Sequence, residues 1–250
     1  LSLTPGDRVQ FTVRLFDAVP AQLSAARRQI EQALTEQQQA GLAADARAAL
    51  DRIAPCIRVG DALTDAAWVQ ENLPEEVAIK RTAFAELDRL ASPDAILASS
   101  TSAIVASHFT ADLAGRARCL VVHPVNPPHL VPVVELCGAP WTSEATLDRA
   151  RITMTSLGQV PIVVRREIDG FVLNRLQGAL LSEAMRLVAD GVVAPDDLDK
   201  TVRDGLGLRW SFMGPLETIE LNAPGGLADY CARYSGFYRR LATDPAPSSV

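Results

Sequence analysis

The chain has 250 residues, 48% of them hydrophobic and 22% charged, which suits one large or two smaller globular domains and excludes disorder over most of its length. Thirty acidic against 24 basic residues leave a net charge of −6, so a basic nucleic-acid-binding surface is not expected. The four cysteines (Cys56, Cys119, Cys137 and Cys231) are scattered, which argues against a zinc site or disulfide scaffold and for a reduced, cytoplasmic setting; no apolar run approaches the ~20 residues of a membrane helix.

Residues 11–16 alternate and are rich in β-formers, predicting a short strand that ends at Asp17. Pro20 suits the first turn of a helix that runs to Gln39 and stops at Gly41. A second helix is expected over about 43–53, and residues 57–59 and 68–69 are brief strand candidates. Residues 75–90 are helical again, with Val77, Ala78, Phe84, Leu87 and Leu90 as the buried stripe. Pro93-Asp94 breaks the chain, and residues 95–98 read as a buried strand opening onto Ser99-Ser100-Thr101-Ser102.

Two further apolar runs, 119–122 and 131–136, flank His123-Pro124-Val125-Asn126-Pro127-Pro128-His129, whose prolines make it a shaped loop. A helix over 144–157 and a strand over 160–164 follow. From Gly170 onward only helices are expected. Phe171, Leu173, Leu176, Leu180, Leu181, Ala184 and Leu187 trace a long amphipathic one, and Pro195 and Gly214-Pro215 start two more before a frayed tail at 244–250. The pattern predicts an α/β domain with a doubly wound, Rossmann-like sheet over 1–167, then an all-α domain over 168–243.

His123 directly follows an apolar strand, where side chains of an open α/β sheet point into the ligand crevice. Glu135 stands twelve residues on inside an apolar run, a costly place for an unpaired carboxylate. If the loop folds back, the pair makes a base oriented by a carboxylate. A strand-end histidine and a water-facing edge glutamate fit the same spacing. The hydroxyls of residues 99–102 suit a substrate oxygen or an N-cap. Asn174 is unusual inside a helix and suits a ligand or an inter-domain contact. Asp17 suits a helix cap or a ribose carboxylate, and the Gly-x-Gly-x-x-Gly that would decide between them is absent; Gly205-Leu206-Gly207 lies in the helical half.

In order along the chain, the segment 99–102, the His-Pro-Val-Asn-Pro-Pro run with Glu135, Gly170-Phe171-Val172-Leu173-Asn174-Arg175, and Gly205-Leu206-Gly207-Leu208-Arg209-Trp210 with Met213-Gly214-Pro215 resemble the 3-hydroxyacyl-CoA dehydrogenase family. Together with Leu221-Asn222-Ala223 they look most like its λ-crystallin / L-gulonate 3-dehydrogenase branch, over nearly the whole chain. The resemblance implies NAD-dependent oxidation of a 3-hydroxy acid or acyl thioester to the 3-keto product. It implies His123 as general base, Glu135 as its orienting partner, and Ser102 and Asn174 as holders of the reacting oxygen. It also implies Asn126 near nicotinamide and substrate, Glu75 and Lys80 at cofactor-contacting positions, and Asp17 as the ribose carboxylate. No metal is implied.

The start departs from the family pattern, because the residues before Phe11 fit neither the first strand nor its glycine turn. The expectation is a lost strand–turn–helix unit, with Leu1 marking a misplaced start or a frame error. Arg209 is a candidate for a substrate carboxylate, or for a salt bridge to a neighbouring helix. Without an early basic cluster for CoA phosphates, a small free acid such as L-gulonate is preferred over the acyl-CoA of fatty acid metabolism. A structural, crystallin-like homologue that does not bind NAD is the alternative. The apolar surface of the helical half predicts a homodimer through it.

Overall fold

The computed structural model describes residues 11–242, so the expectations for the lead-in before Phe11 and for the tail at 244–250 fall outside the described residues. The chain divides into two compact units between Asn174 and Arg175.

In the first unit β1 (Val13–Phe16) and β2 (Ile53–Cys56) pair in parallel as a two-stranded sheet. A five-stranded sheet follows in chain order: β3 (Trp68–Glu71), β4 (Ile96–Ser99), β5 (Cys119–Pro124), β6 (Val133–Gly138) and β7 (Val160–Val164). Its neighbours are parallel except β5 and β6, which are antiparallel. The helices of this unit are α1 (Pro20–Gln39), α2 (Ala46–Leu50), α3 (Val59–Leu63), α4 (Val77–Leu90), α5 (Ser107–Thr110) and α6 (Glu144–Ser156).

Side chains alternate across the larger sheet. Leu97, Cys119, Val121 and Cys137 join Phe84 of α4 and Phe109 of α5 in one core, while Ile96, Ala98, Leu120, Val122 and Leu136 join Ala150 and Met154 of α6 in another. Both faces are covered, so these strands read in the sequence as unbroken apolar runs.

Several local expectations change; His123 and Pro124, expected in the loop, extend β5 and pair with Glu135 and Val134. The strand expected at 57–59 lies at Ile53–Cys56 instead, because that segment registers with β1 (Val13 with Ile53, Phe16 with Cys56). Val59 then opens α3, and Ile57 is left 87% exposed. Among the described residues β2 pairs only with β1, and Pro55 suits a strand with an open second edge. The helix expected over 43–53 shrinks to α2, capped by Asp45, whose carboxylate accepts the Ala48 N–H at 2.9 Å.

Beyond the sheet the described residues are helical: α7 (Leu173–Ala189), α8 (Pro195–Lys200), a π-helical stretch Thr201–Gly207, α9 (Leu208–Trp210), α10 (Pro215–Asn222) and α11 (Gly226–Ala242). Gly191, at φ 69°, closes α7, its N–H bonding Val188 O at 3.0 Å and the Val192 N–H bonding Leu187 O at 3.0 Å. Pro224 falls between α10 and α11, where a helix cannot continue unbroken.

Candidate active site

β3, β4 and β5 end side by side, with Glu71 opposite Ser99 and Ser99 opposite Val121. Glu71, Ser99 and His123 therefore mark three adjacent carboxyl ends of parallel strands, the edge at which α/β sheets take ligands.

His123 and Glu135 are direct cross-strand partners in the antiparallel β5–β6 pair. Their side chains meet with His123 Nδ1 2.8 Å from Glu135 Oε2. The carboxylate is fully buried and the imidazole nearly so. Glu135 Oε1 accepts the N–H groups of Val172 (2.9 Å) and Leu173 (3.0 Å) at the start of α7. With Oε1 taken by those amides, Oε2 is the carboxylate oxygen that faces Nδ1. Gly170 and Phe171 have positive φ (73° and 49°), and this turn aims both amides at Glu135. Phe171 is fully buried, its ring 5.8 Å from the imidazole.

Ser102 sits on the loop after β4, and two carboxyl-side groups fix that loop. Glu75 Oε1 accepts the N–H groups of Ser102 (3.0 Å), Ala103 (2.9 Å) and Ile104 (3.3 Å), and a short bond from the Thr101 hydroxyl. Asn174 Nδ2 donates to Ser102 O at 2.8 Å. Partial burial pushes the Glu75 carboxyl up, but Thr101, the Ala103 amide, Lys80 and the Ile104 amide together outweigh it, and its pKa lies below the usual carboxylate value. Lys80 is 1% exposed, its ammonium 3.0 and 3.1 Å from the two Glu71 oxygens and 3.6 Å from Glu75 Oε2.

Residues 171–174 thus link the His123–Glu135 pair to Ser102, and Glu75 links Ser102 to Lys80. Outside this cluster, the exposed Asp17 accepts the Val19 N–H at 2.7 Å, a cap on the turn into α1. Asn126, in the loop between β5 and β6, is exposed, and so is Arg209 in the second unit. Sequence reasoning missed Glu71 and the two amides after Phe171. A carboxylate closing a β-rich run, with a lysine nine residues on, was the available signal for the first.

The exposed Asp17 carboxylate ending β1, the exposed Glu75 carboxylate and the strand-end loop give acceptor and donor groups that fit a dinucleotide's hydroxyls. A doubly wound unit with a carboxylate-oriented imidazole at its strand ends defines a dehydrogenase that uses a nicotinamide cofactor. Residues 7–168 match the family model "3-hydroxyacyl-CoA dehydrogenase, NAD binding domain", and residues 170–247 match "3-hydroxyacyl-CoA dehydrogenase, C-terminal domain". The chain is 44% identical to Lambda-crystallin of Oryctolagus cuniculus over 92% of its own length and 73% of that protein. It is 38% identical to L-carnitine dehydrogenase of Pseudomonas sp over 82% of its length and 64% of that protein. The solved NAD+-dependent 5-formyl-3-hydroxy-2-methylpyridine 4-carboxylic acid 5-dehydrogenase, 33% identical, superposes with a TM-score of 0.82 over 94% of this chain and 75% of that one. The chain belongs to the 3-hydroxyacyl-CoA dehydrogenase family, in its lambda-crystallin branch.

Proposed function

We propose that this NAD-dependent dehydrogenase oxidises a small, free 3-hydroxy acid to its 3-keto product, with His123 as general base and Glu135 as the group that orients it. The observation that carries the reading is the 2.8 Å contact between His123 Nδ1 and Glu135 Oε2, which commits Nδ1 to donating and leaves Nε2 to accept the substrate hydroxyl proton. Glu135 then stabilises the imidazolium. Ser102 and Asn174, tied together at the loop after β4, hold the reacting oxygen. NAD supplies the hydride acceptor when bound. Asp17 would hold its adenosine ribose, and Glu75 and Asn126 would flank its nicotinamide end. Arg209 suits the substrate carboxylate.

The relatives named L-carnitine dehydrogenase support a free acid over an acyl-CoA, because L-carnitine is itself a 3-hydroxy acid. A homodimer through the helical unit is supported by α7, which has no buried residue and leaves Leu176 and Met185 at least 60% exposed. No helix among the described residues is long and apolar enough to cross a membrane.

The test is NADH formation with L-gulonate, L-carnitine, 3-hydroxybutyrate and a 3-hydroxyacyl-CoA, beside calorimetry with NAD. Turnover of one or more of the free acids supports the reading. Turnover of the CoA thioester alone would reverse the substrate assignment. Neither NAD binding nor turnover would leave a structural protein.

A further inference from the structure

We propose that Glu71 is a positioning residue for the loop at 101–104, and through it for Ser102. Glu71 is 5% exposed, yet it collects three kinds of donor. Its oxygens bind the Lys80 ammonium at 3.0 and 3.1 Å, the Leu73 N–H at 2.5 Å and the Ser99 hydroxyl at 2.5 Å.

Two routes lead from this carboxylate to the loop. The first is direct: with its hydrogen given to Glu71, Ser99 Oγ accepts the Thr101 N–H at 3.2 Å, which sets the first residue of the loop. The second passes through Lys80, whose ammonium also faces Glu75 Oε2 at 3.6 Å, while the other Glu75 oxygen collects the amides of Ser102, Ala103 and Ile104. The two Glu71 oxygens, at 3.0 and 3.1 Å, are nearer to the Lys80 ammonium than Glu75 Oε2 at 3.6 Å and anchor it. Removing Glu71 therefore loosens Lys80, which in turn releases Glu75 and the amides it holds. The inference also gives Lys80 a different standing from Glu75. With 1% exposure, Lys80 acts on bound cofactor through Glu75, not by touching it. The link to catalysis rests on the role proposed for Ser102; the link to the loop does not.

The test compares Glu71→Gln, Glu71→Asp and Ser99→Ala with the parent chain by amide hydrogen exchange without cofactor, and by calorimetry with NAD. In Glu71→Gln the amides of Ser102, Ala103 and Ile104 are expected to exchange about tenfold faster, the scale of one lost hydrogen bond, with those of β5 and β6 unchanged. NAD affinity should fall with it, and Glu71→Asp should recover part of both. Ser99→Ala keeps the buried ion pair and should speed Thr101 alone. Exchange at 101–104 unchanged in these variants, or raised equally across the sheet, would overturn the proposal. If Glu71→Gln does not fold, Ser99→Ala decides, with unchanged exchange at Thr101 as the overturning result. Faster loop exchange in a chain that turns over no 3-hydroxy acid would remove the proposed function and leave this inference standing.

Discussion

His123 and Glu135 face each other at 2.8 Å because they are register partners across the antiparallel β5–β6 pair. Replacing Glu135 by Gln tests what that contact does. The amide oxygen must serve the Val172 and Leu173 N–H groups, so the amide N–H turns toward Nδ1 and forces the opposite tautomer on the ring. We expect kcat to fall by about 10²- to 10⁴-fold, with NAD affinity nearly unchanged. Nitrogen-15 shifts of His123 should show the proton moved to Nε2. Unaltered shifts and near-parental turnover would remove Glu135 from this role.

His123→Ala removes the base itself. Turnover should drop by at least about 10²-fold, while the melting temperature and NAD binding stay close to the parent's. Stopped-flow measurement of the hydride step at two pH values gives the check. A large loss of NAD binding in its place would make His123 a cofactor ligand.

Glu75 predicts a pH dependence of stability. Its carboxyl lies below the usual value in the folded chain, so its ionised form contributes stability that is complete above the unfolded-state pKa. That contribution is lost as pH falls through the lowered folded-state value. Urea midpoints measured from neutral pH down into the acid range should therefore decline less steeply for Glu75→Gln than for the parent. Parallel curves would show that the loop does not depend on the charge.

Which of these relationships the sequence discloses follows from how each is encoded. Buried strands such as β4 and β5 stand out as apolar runs, and Pro20 and Gly41 bracket α1 because proline and glycine act locally. The His123–Glu135 contact stays open at that stage, since both strands look equally buried and nothing local says that β6 runs backwards. Their register depends on how the loop between them closes. Glu71 is harder still. Its partners Ser99 and Lys80 lie 28 and 9 residues away; the side-by-side ends of β3 and β4 bring Ser99 to it, and the turn from β3 into α4 brings Lys80. Ile57 misleads because β-propensity at 57–59 is overruled by the pairing of Ile53–Cys56 with β1.

The cysteines should separate cleanly under alkylation. Burial pushes the Cys119 thiol up to about 12, with Asp88 adding to the shift, and burial does the same for Cys137, to about 12, with Glu167 and Glu135 adding to it. Cys231 is exposed and Cys56 half-buried. Iodoacetamide at neutral pH should label Cys231 first and Cys56 more slowly, leaving Cys119 and Cys137 untouched until the chain unfolds. Mass spectrometry of the digested protein reads this directly. Early labelling of Cys119 or Cys137 would mean that the sheet core opens far more readily than its packing implies.

The helical unit supplies the last prediction. Leu181 (44%) and Met185 (60%) are exposed along α7 four residues apart, which puts them on one face of the helix. Each such side chain gains about 1.5–3 kcal/mol on full burial, so a partner covering that face on two copies stabilises the assembly well beyond a transient encounter. A second copy of the same helix is the partner our homodimer proposal assigns, since an isologous interface places the face against itself. Light scattering should give twice the chain mass at micromolar concentration. Leu181→Glu puts a charge into that interface and should shift the mass to a monomer without loss of helix content by circular dichroism. A parent chain that is already monomeric would overturn the homodimer.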